Sequence, residues 1–244
     1  MISTLAGPPL QAACQKPFKL VVEDWAPYSF FAQDGKPSGM DIEMIQAIFR
    51  KAVCEVVLLR DIPRKRRHKM FEMGQLDLLY AASDTPERHA IAWYSKPYRQ
   101  EQISVFSLTT KQDNIKQLDD ILQLPGALLA PNTGWYGEGY ARLQARMLAA
   151  GRWYGYEDYE QGVRMLVAGR GEYLMGDHEA LLHTARQSYG LKLKQIGPVV
   201  NLNPVHLMFS KRSVSPADVM AINNAIAVLQ ADGTLKAIRV RYGR

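Results

Sequence analysis

The order of hydrophobic periodicities along this chain predicts an α/β fold of two lobes, each a doubly wound parallel sheet, with a ligand cleft between the lobes. Two observations carry that expectation. Short apolar runs alternate with longer stretches of helical spacing, as βαβ units require. The alternation then runs through a second time in similar order, although no sequence repeat is evident between the halves. In sheets of this kind ligands bind beyond the carboxyl ends of the strands, so the loops that follow strands are where function is sought.

The first series opens with a strand over Phe18 to Val22. Gly39 to Lys51 follows with apolar residues at helical spacing (Met40, Ile42, Met44, Ile45, Ile48 and Phe49), and Glu55 to Leu59 is strand-like again. A helix over Arg66 to Met73 and a strand over Leu76 to Tyr80 complete it, which puts Glu23-Asp24-Trp25 and Ala81 to Thr85 at strand ends. The second series starts after Ile103 to Leu108. It comprises a helical patch (Ile115 to Leu122), a strand (Ala127 to Ala130), a helix (Tyr136 to Ala150) and a strand (Trp153 to Tyr156). A helix over Gln161 to Ala168, a strand over Tyr173 to Met175 and a helix over Glu179 to Tyr189 continue it. Leu207 to Ser210 then reads as a strand, Pro216 to Leu229 as a helix closed by Asp232-Gly233, and Leu235 to Tyr242 as a terminal helix.

At 244 residues and 47% hydrophobic, without low-complexity segments, the chain can bury one large core or two moderate ones. No apolar stretch approaches the roughly 20 uncharged residues of a membrane helix, so a folded, soluble protein is expected. Part of the net charge of +6 lies in the run P-R-K-R-R-H-K ending at Lys69. With no aromatic residues interleaved for base stacking, that run reads as a solvated loop and helix face, and nucleic acid is not expected as a partner.

Cys14 lies a few residues before the first strand and Cys54 just before the second. If those strands are parallel neighbours, both sulfurs lie at the same end of the sheet, and a Cys14–Cys54 disulfide in an oxidising compartment is expected. Met1 to Ala13 is small and apolar and has no charged start, and it reads as the remainder of a removed leader.

Ser83 to Arg88, S-D-T-P-E-R, is the most informative stretch. An arginine just past a buried strand, with hydroxyl residues three and five positions before it, offers a planar cation and neutral donors converging where a carboxylate can sit. The same residues also suit a structural role, with Ser83 and Thr85 capping a helix that starts at Pro86 and Arg88 on its surface. Locally the two readings are balanced.

Five stretches in order shift that balance. They are W-A-P-Y (Trp25 to Tyr28) with G-K-P-S-G-M-D-I-E (Gly35 to Glu43), and G-Q-L-D (Gly74 to Asp77) leading into S-D-T-P-E-R. Next come Y-S-K-P-Y (Tyr94 to Tyr98), A-G-R-G-E-Y-L-M-G-D (Ala168 to Asp177) and A-D-G-T-L-K-A-I (Ala231 to Ile238). In their order and spacing the chain resembles family 3 of the bacterial periplasmic solute-binding proteins, the amino-acid-type receptors of ABC importers, from Phe18 to Tyr242. The resemblance implies the two-lobed periplasmic-binding-protein-like fold of type II, with residues 15–107 and 206–244 in one lobe and 108–205 in the other. It also implies hinge closure on an amino acid or related small carboxylate.

By the same resemblance Arg88 pairs with the ligand carboxylate, Ser83 helps to hold it, and Asp177 receives the ammonium. Trp25 lines or covers the ligand, and Thr133 in P-N-T-G offers a hydroxyl at a helix N-terminus, where anions are favoured. It further implies a periplasmic location after signal-peptide removal, an inner-membrane ABC permease as partner, a monomer, and no cofactor. Two positions depart from basic-amino-acid receptors, namely Ala81 where they often place serine and Leu59 near where some place a second stacking aromatic, so a side-chain pocket unlike that of a typical lysine or arginine receptor is expected. The loop Asp61 to Arg67 can swing Arg64 or Arg66 toward the cleft, which would favour a ligand with an extra negative group, although a surface location is the expectation.

A cyclohexadienyl-dehydratase-like enzyme on the same fold and the ligand-sensing domain of a receptor are the alternatives. Five histidines without ligand spacing argue against a metal site, and no nucleophile elbow or phosphate loop occurs. Glu172, His178 and Glu179 are the acid–base candidates for a dehydration, and a surface role for them is expected instead.

Overall fold

The computed structural model describes residues 14–60, 62–109, 114–134 and 136–242. The leader-like stretch Met1 to Ala13 lies outside them. Strand β1 (Phe18–Val21) buries all but Lys19 and is followed by the short antiparallel pair β2 (Phe30–Phe31) and β3 (Pro37–Ser38). Helix α1 (Met40–Lys51) leads to β4 (Val56–Leu59), which runs parallel to β1 in the register Phe18↔Val56 to Val21↔Leu59. Helix α2 (Arg64–Glu72) and β5 (Leu78–Ala82) complete the first series. Strand β5 starts two residues later than the apolar run suggests. Asp77 turns its carboxylate onto the Lys19 N–H at 2.8 Å and onto the Lys16 ammonium, which ties it to β1 rather than to the strand it precedes.

After a 3-10 turn (Pro86–Ala90) come β6 (Ala92–Tyr94) and the long β7 (Arg99–Leu108). The middle of the chain supplies β8 (Leu128–Pro131), α3 (Glu138–Ala149), β9 (Trp153–Tyr156) and α4 (Tyr159–Val167). Strand β10 (Tyr173–Asp177), α5 (His178–Tyr189) and β11 (Leu193–Gln195) follow. The chain ends in β12 (Asn201–Ser210), α6 (Pro216–Ala231) and α7 (Thr234–Tyr242).

The largest sheet has the order β5-β12-β7-β10-β8-β9. Strands β8, β9 and β10 are parallel, as expected, but β7 and β12 run antiparallel to each other and to their other neighbours, so the sheet is mixed. A register shift between His206 and Met208 lets one half of β12 pair with β7 and the other with β5 and β6. The polar stretches Arg99 to Gln102 and Asn201 to Pro204 have no apolar alternation, and both are strand because they pair with one another across the sheet.

Packing follows the chain in blocks. One core is built from β1, α1, α6, α7 and the second half of β12, with Phe18, Ile45, Phe49, Phe209 and Ile226 at its centre. The core of residues 103 to 196 lies on either face of β7, β8 and β10, around Leu128, Leu143 and Tyr173 on one side and Leu129, Val163 and Leu181 on the other.

Cys14 and Cys54 are bridged, with Cα atoms 5.2 Å apart, at the amino ends of β1 and β4. The bridge closes a loop of sequence separation 40, for which chain entropy alone gives about 4 kcal/mol of stabilisation. A Cys14→Ser, Cys54→Ser double variant should therefore lose about 2–4 kcal/mol in chemical denaturation. A midpoint unchanged by the double substitution would show that the bridge adds nothing.

A second tie is electrostatic. Asp41 in the first turn of α1 and Arg99 at the start of β7 are both buried and meet through two hydrogen bonds of 2.6 and 3.0 Å. The guanidinium lies 4.1 Å from the centre of the Tyr28 ring. Asp41→Asn should destabilise the fold by about 3–5 kcal/mol, because Arg99 is left charged without its counter-ion. Denaturation of the variant against the parent measures this, and a loss under about 1 kcal/mol would place the pair in the weak, exposed class.

Candidate functional site

Gly39 is where the site begins. Its φ is 116°, and a Cβ there would lie 2.4 Å from the Tyr28 carbonyl oxygen, so glycine alone lets the start of α1 approach the W-A-P-Y turn. The Met40 and Asp41 amides then donate to the carbonyls of Pro27 and Tyr28 at 2.9 and 2.8 Å. The turn is closed by the Trp25 N–H on the Ser29 carbonyl at 2.7 Å, and the Trp25 ring packs on Tyr28 with centroids 4.6 Å apart. Tyr80 of β5 braces it by donating to the Ser29 hydroxyl at 2.7 Å and accepting the Glu23 N–H at 2.9 Å.

This frame holds one side of a cavity of about 730 Å³, within the roughly 300–1,000 Å³ usual for small-molecule sites. Its lining comes from strand ends: Glu23 to Trp25 after β1, Ala81 to Ser83 at the end of β5 with Arg88 beyond it, Thr133 and Gly134 after β8, and Glu157 to Tyr159 after β9. Glu101 and Asn203, paired across β7 and β12, complete it with Tyr136 and Tyr156.

Of the expected site residues, Trp25, Ser83, Arg88 and Thr133 line this one cavity. Arg88 sits exposed in the 3-10 turn with Nη1 3.4 Å from the Ser83 carbonyl, and no carboxylate among the described residues is paired with it. Thr85 stands at the head of that turn but makes no side-chain cap, so the capping role accounts for little. Thr133 lies in the β8–α3 loop rather than at the helix, which begins only at Glu138; its carbonyl accepts the Tyr136 hydroxyl at 3.0 Å. Ala81 is in the left-handed region at φ 50°, a conformation stored by non-glycine residues mostly at functional sites, and its N–H donates to the Tyr98 hydroxyl at 3.2 Å.

Asp177 is not part of the lining. It is fully buried at the end of β10, where Oδ1 accepts from the Tyr28 hydroxyl at 2.6 Å and caps α5 through the Ala180 N–H at 2.8 Å. Its Oδ2 has no hydrogen-bond partner among the described residues. Burial raises this carboxyl from 3.8 to about 7, against the lowering effect of the Tyr28 bond and of Arg99.

The basic run is helix α2 rather than a loop. Arg66 is exposed and outside the cavity lining, while the Arg64 side chain lies beyond what is described. Arg67, which the sequence did not single out, is buried in the cavity wall and pairs with Glu23 at 2.8 Å. None of Glu172, His178 and Glu179 lines the cavity. Glu172 accepts the Ala127 N–H at 2.7 Å, and the His178 ring bonds the Gln102 amide at 3.0 Å. Tyr156 to Tyr159, also missed, end β9 and follow it directly, and were within reach of the strand-end rule. Glu101 and Asn203 carried no local signal.

Two α/β units with a polar cavity built from strand ends define the class of a type II periplasmic-binding-protein domain. The sequence profile of the bacterial extracellular solute-binding proteins, family 3, matches residues 19–244, and the chain belongs to that family. It is 23% identical over 231 residues to a probable amino-acid ABC transporter-binding protein of Haemophilus influenzae, covering 89% of this chain and 80% of that protein. The fold is shared with the L-cystine solute receptor of Neisseria gonorrhoeae in its unliganded open conformation (TM-score 0.72, 22% identity, 98% and 97% of the two chains). It is shared also with substrate binding domain 2 of Lactococcus lactis GlnP in its open conformation (TM-score 0.73, 20% identity, 96% and 97%).

Because the folded protein holds the Asp177 proton up to about pH 7 and the unfolded chain releases it near 4, the group favours the fold least at high pH. Stability from this group is full below about 4 and falls by roughly 4 kcal/mol as pH rises through 7. Asp177→Asn keeps an acceptor for Tyr28 and Ala180 and removes the titration. The variant should gain stability relative to the parent between pH 5 and pH 8 in urea denaturation, and parallel pH profiles would exclude a raised Asp177.

Proposed function

We propose that this chain captures a small zwitterionic or carboxylate solute, an amino acid or a relative of one, in the strand-end cleft and releases it unchanged. The observation that carries this reading is Arg88, an exposed guanidinium on the cavity wall beside Ser83 with no carboxylate paired to it. Its planar fork matches a carboxylate with two parallel hydrogen bonds. Trp25 covers the ligand and Thr133 adds a hydroxyl. Asp177, with one carboxylate oxygen unpartnered, receives the ammonium as the cleft closes. The amino-acid class is supported by relatives named as amino-acid-binding proteins, the Haemophilus influenzae protein and AabA of Dichelobacter nodosus.

The lobes of this reading are residues 15–107 with 206–244, and 108–205. The packing blocks support a division of this kind, with two cores drawn from residues 14–98 and 205–238 plus Ala180 and two from residues 103–196, so the change of block falls within β7 and β12, a few residues from those bounds. Closure about the crossing strands selects ligands that touch both lobes, and the closed form is what an ABC permease reads in the periplasm. The protein acts as a monomer and a binder without catalysis. Of the acid–base candidates, Glu172 holds a backbone amide and His178 a side-chain amide, and with Glu179 they lie outside the cavity lining.

A thermal-shift screen over amino acids and small carboxylates should find a ligand that raises the melting temperature. Arg88→Ala should keep the parent's circular dichroism and lose about 2–5 kcal/mol of binding free energy to that ligand in calorimetry. Affinity within about threefold of the parent would remove Arg88 from the site.

A further inference from the structure

We infer that the cleft selects a ligand with a second positive charge, an amino acid whose side chain ends in an ammonium or guanidinium group. This rests on the amino-acid reading above, and it runs against the expectation from Ala81 and Leu59, of which only Ala81 lines the cavity. The cavity is lined by Glu23, Asp24, Glu101, Glu157 and Asp158 against Arg67 and Arg88. Three of these charges are already committed. Arg67 and Glu23 neutralise each other at 2.8 Å, and Asp158 caps α4 by accepting the Gln161 N–H at 2.7 Å. Once a ligand carboxylate occupies Arg88, the remaining lining charge is that of Asp24, Glu101 and Glu157, none of which pairs with a cation among the described residues.

Glu101 matters most. It is partly buried on β7, and burial holds its carboxyl above the ordinary range despite Arg99 and a hydrogen bond from Asn203. A carboxylate kept from water in this way gains most from an arriving cation, because the attraction is less screened than at the surface. Trp25, Tyr136 and Tyr159 border the same space and offer aromatic faces that tolerate a cation and do not bind an anion. Among the described residues, Arg66 is outside the lining and Arg67 is neutralised by Glu23, so Arg88 is the arginine left to an anionic group.

Calorimetric titration with L-arginine, L-lysine, L-glutamine, L-glutamate and agmatine separates the possibilities. The basic amino acids should bind at least about tenfold tighter than glutamine, with glutamate weakest. Glu101→Gln should cut arginine or lysine affinity about tenfold or more and leave glutamine within about threefold. Glutamine or glutamate binding as well as arginine, or Glu101→Gln weakening all ligands equally, would overturn the charge preference while leaving the amino-acid reading intact. Agmatine binding as tightly as arginine would keep the cation preference and remove the carboxylate role of Arg88. Absence of binding across the panel would overturn both.

Discussion

Asp41 and Arg99 meet in the dry interior where α1, β7 and the W-A-P-Y turn converge, and much of the site hangs from that contact. Taking two charges from water is costly, and it is compensated only when geometry and hydrogen bonding are both good. Here a bidentate pair supplies the geometry and the Tyr28 face covers the guanidinium. Tyr28 in turn reaches Asp177, 149 residues on in sequence, at the start of α5, so a single run of contacts joins the N-terminus of one helix to the N-terminus of another. Each member is placed by the one before it. Gly39 admits the turn, the turn positions Tyr28, and Tyr28 orients the Asp177 carboxylate.

The cleft follows from the same economy of charge. Charged groups in its wall divide into those with a counter-ion, such as Arg67 with Glu23, and those without one among the described residues, above all Arg88, which donates only to neutral groups. A scaffold that satisfies most of its own buried polar groups and leaves one guanidinium open is suited to binding by charge-assisted hydrogen bonds. The three acid–base candidates read from the sequence lie outside that cavity. Glu172 closes a strand entry, and His178 is held by Gln102 and Ser104 below the sheet surface. Membership of the solute-binding family agrees with that division of labour.

Much of this was legible in one dimension. The alternation of short apolar runs with helical spacing located β1, β4, β8, β9 and all seven helices apart from their ends, because local burial decides such elements. The two cysteines were placed correctly because a parallel β1–β4 pair forces their ends together. S-D-T-P-E-R marked the cavity because hydroxyls and an arginine after a buried strand are a local chemical signal. The polar halves of β7 and β12 were not legible. Arg99 to Gln102 and Asn201 to Pro204 become strand by pairing with each other across about a hundred residues of chain, and neither pattern states its partner.

The sequence by itself thus determined the two α/β series, the disulfide and the arginine that faces the ligand space, since each depends on neighbours in the chain or on a parallel pairing that neighbours impose. Only the tertiary structure decided what surrounds that arginine. Arg67 enters the wall because α2 is a helix whose one buried face points inward, and Glu23 is there to neutralise it. Asp177 withdraws from the surface because Tyr28 and the Ala180 amide hold its Oδ1 within the fold. Glu101 joins the lining because β7 pairs with β12. Charge balance in a cleft is a property of groups brought together from distant segments, and the order of residues along one segment does not contain it.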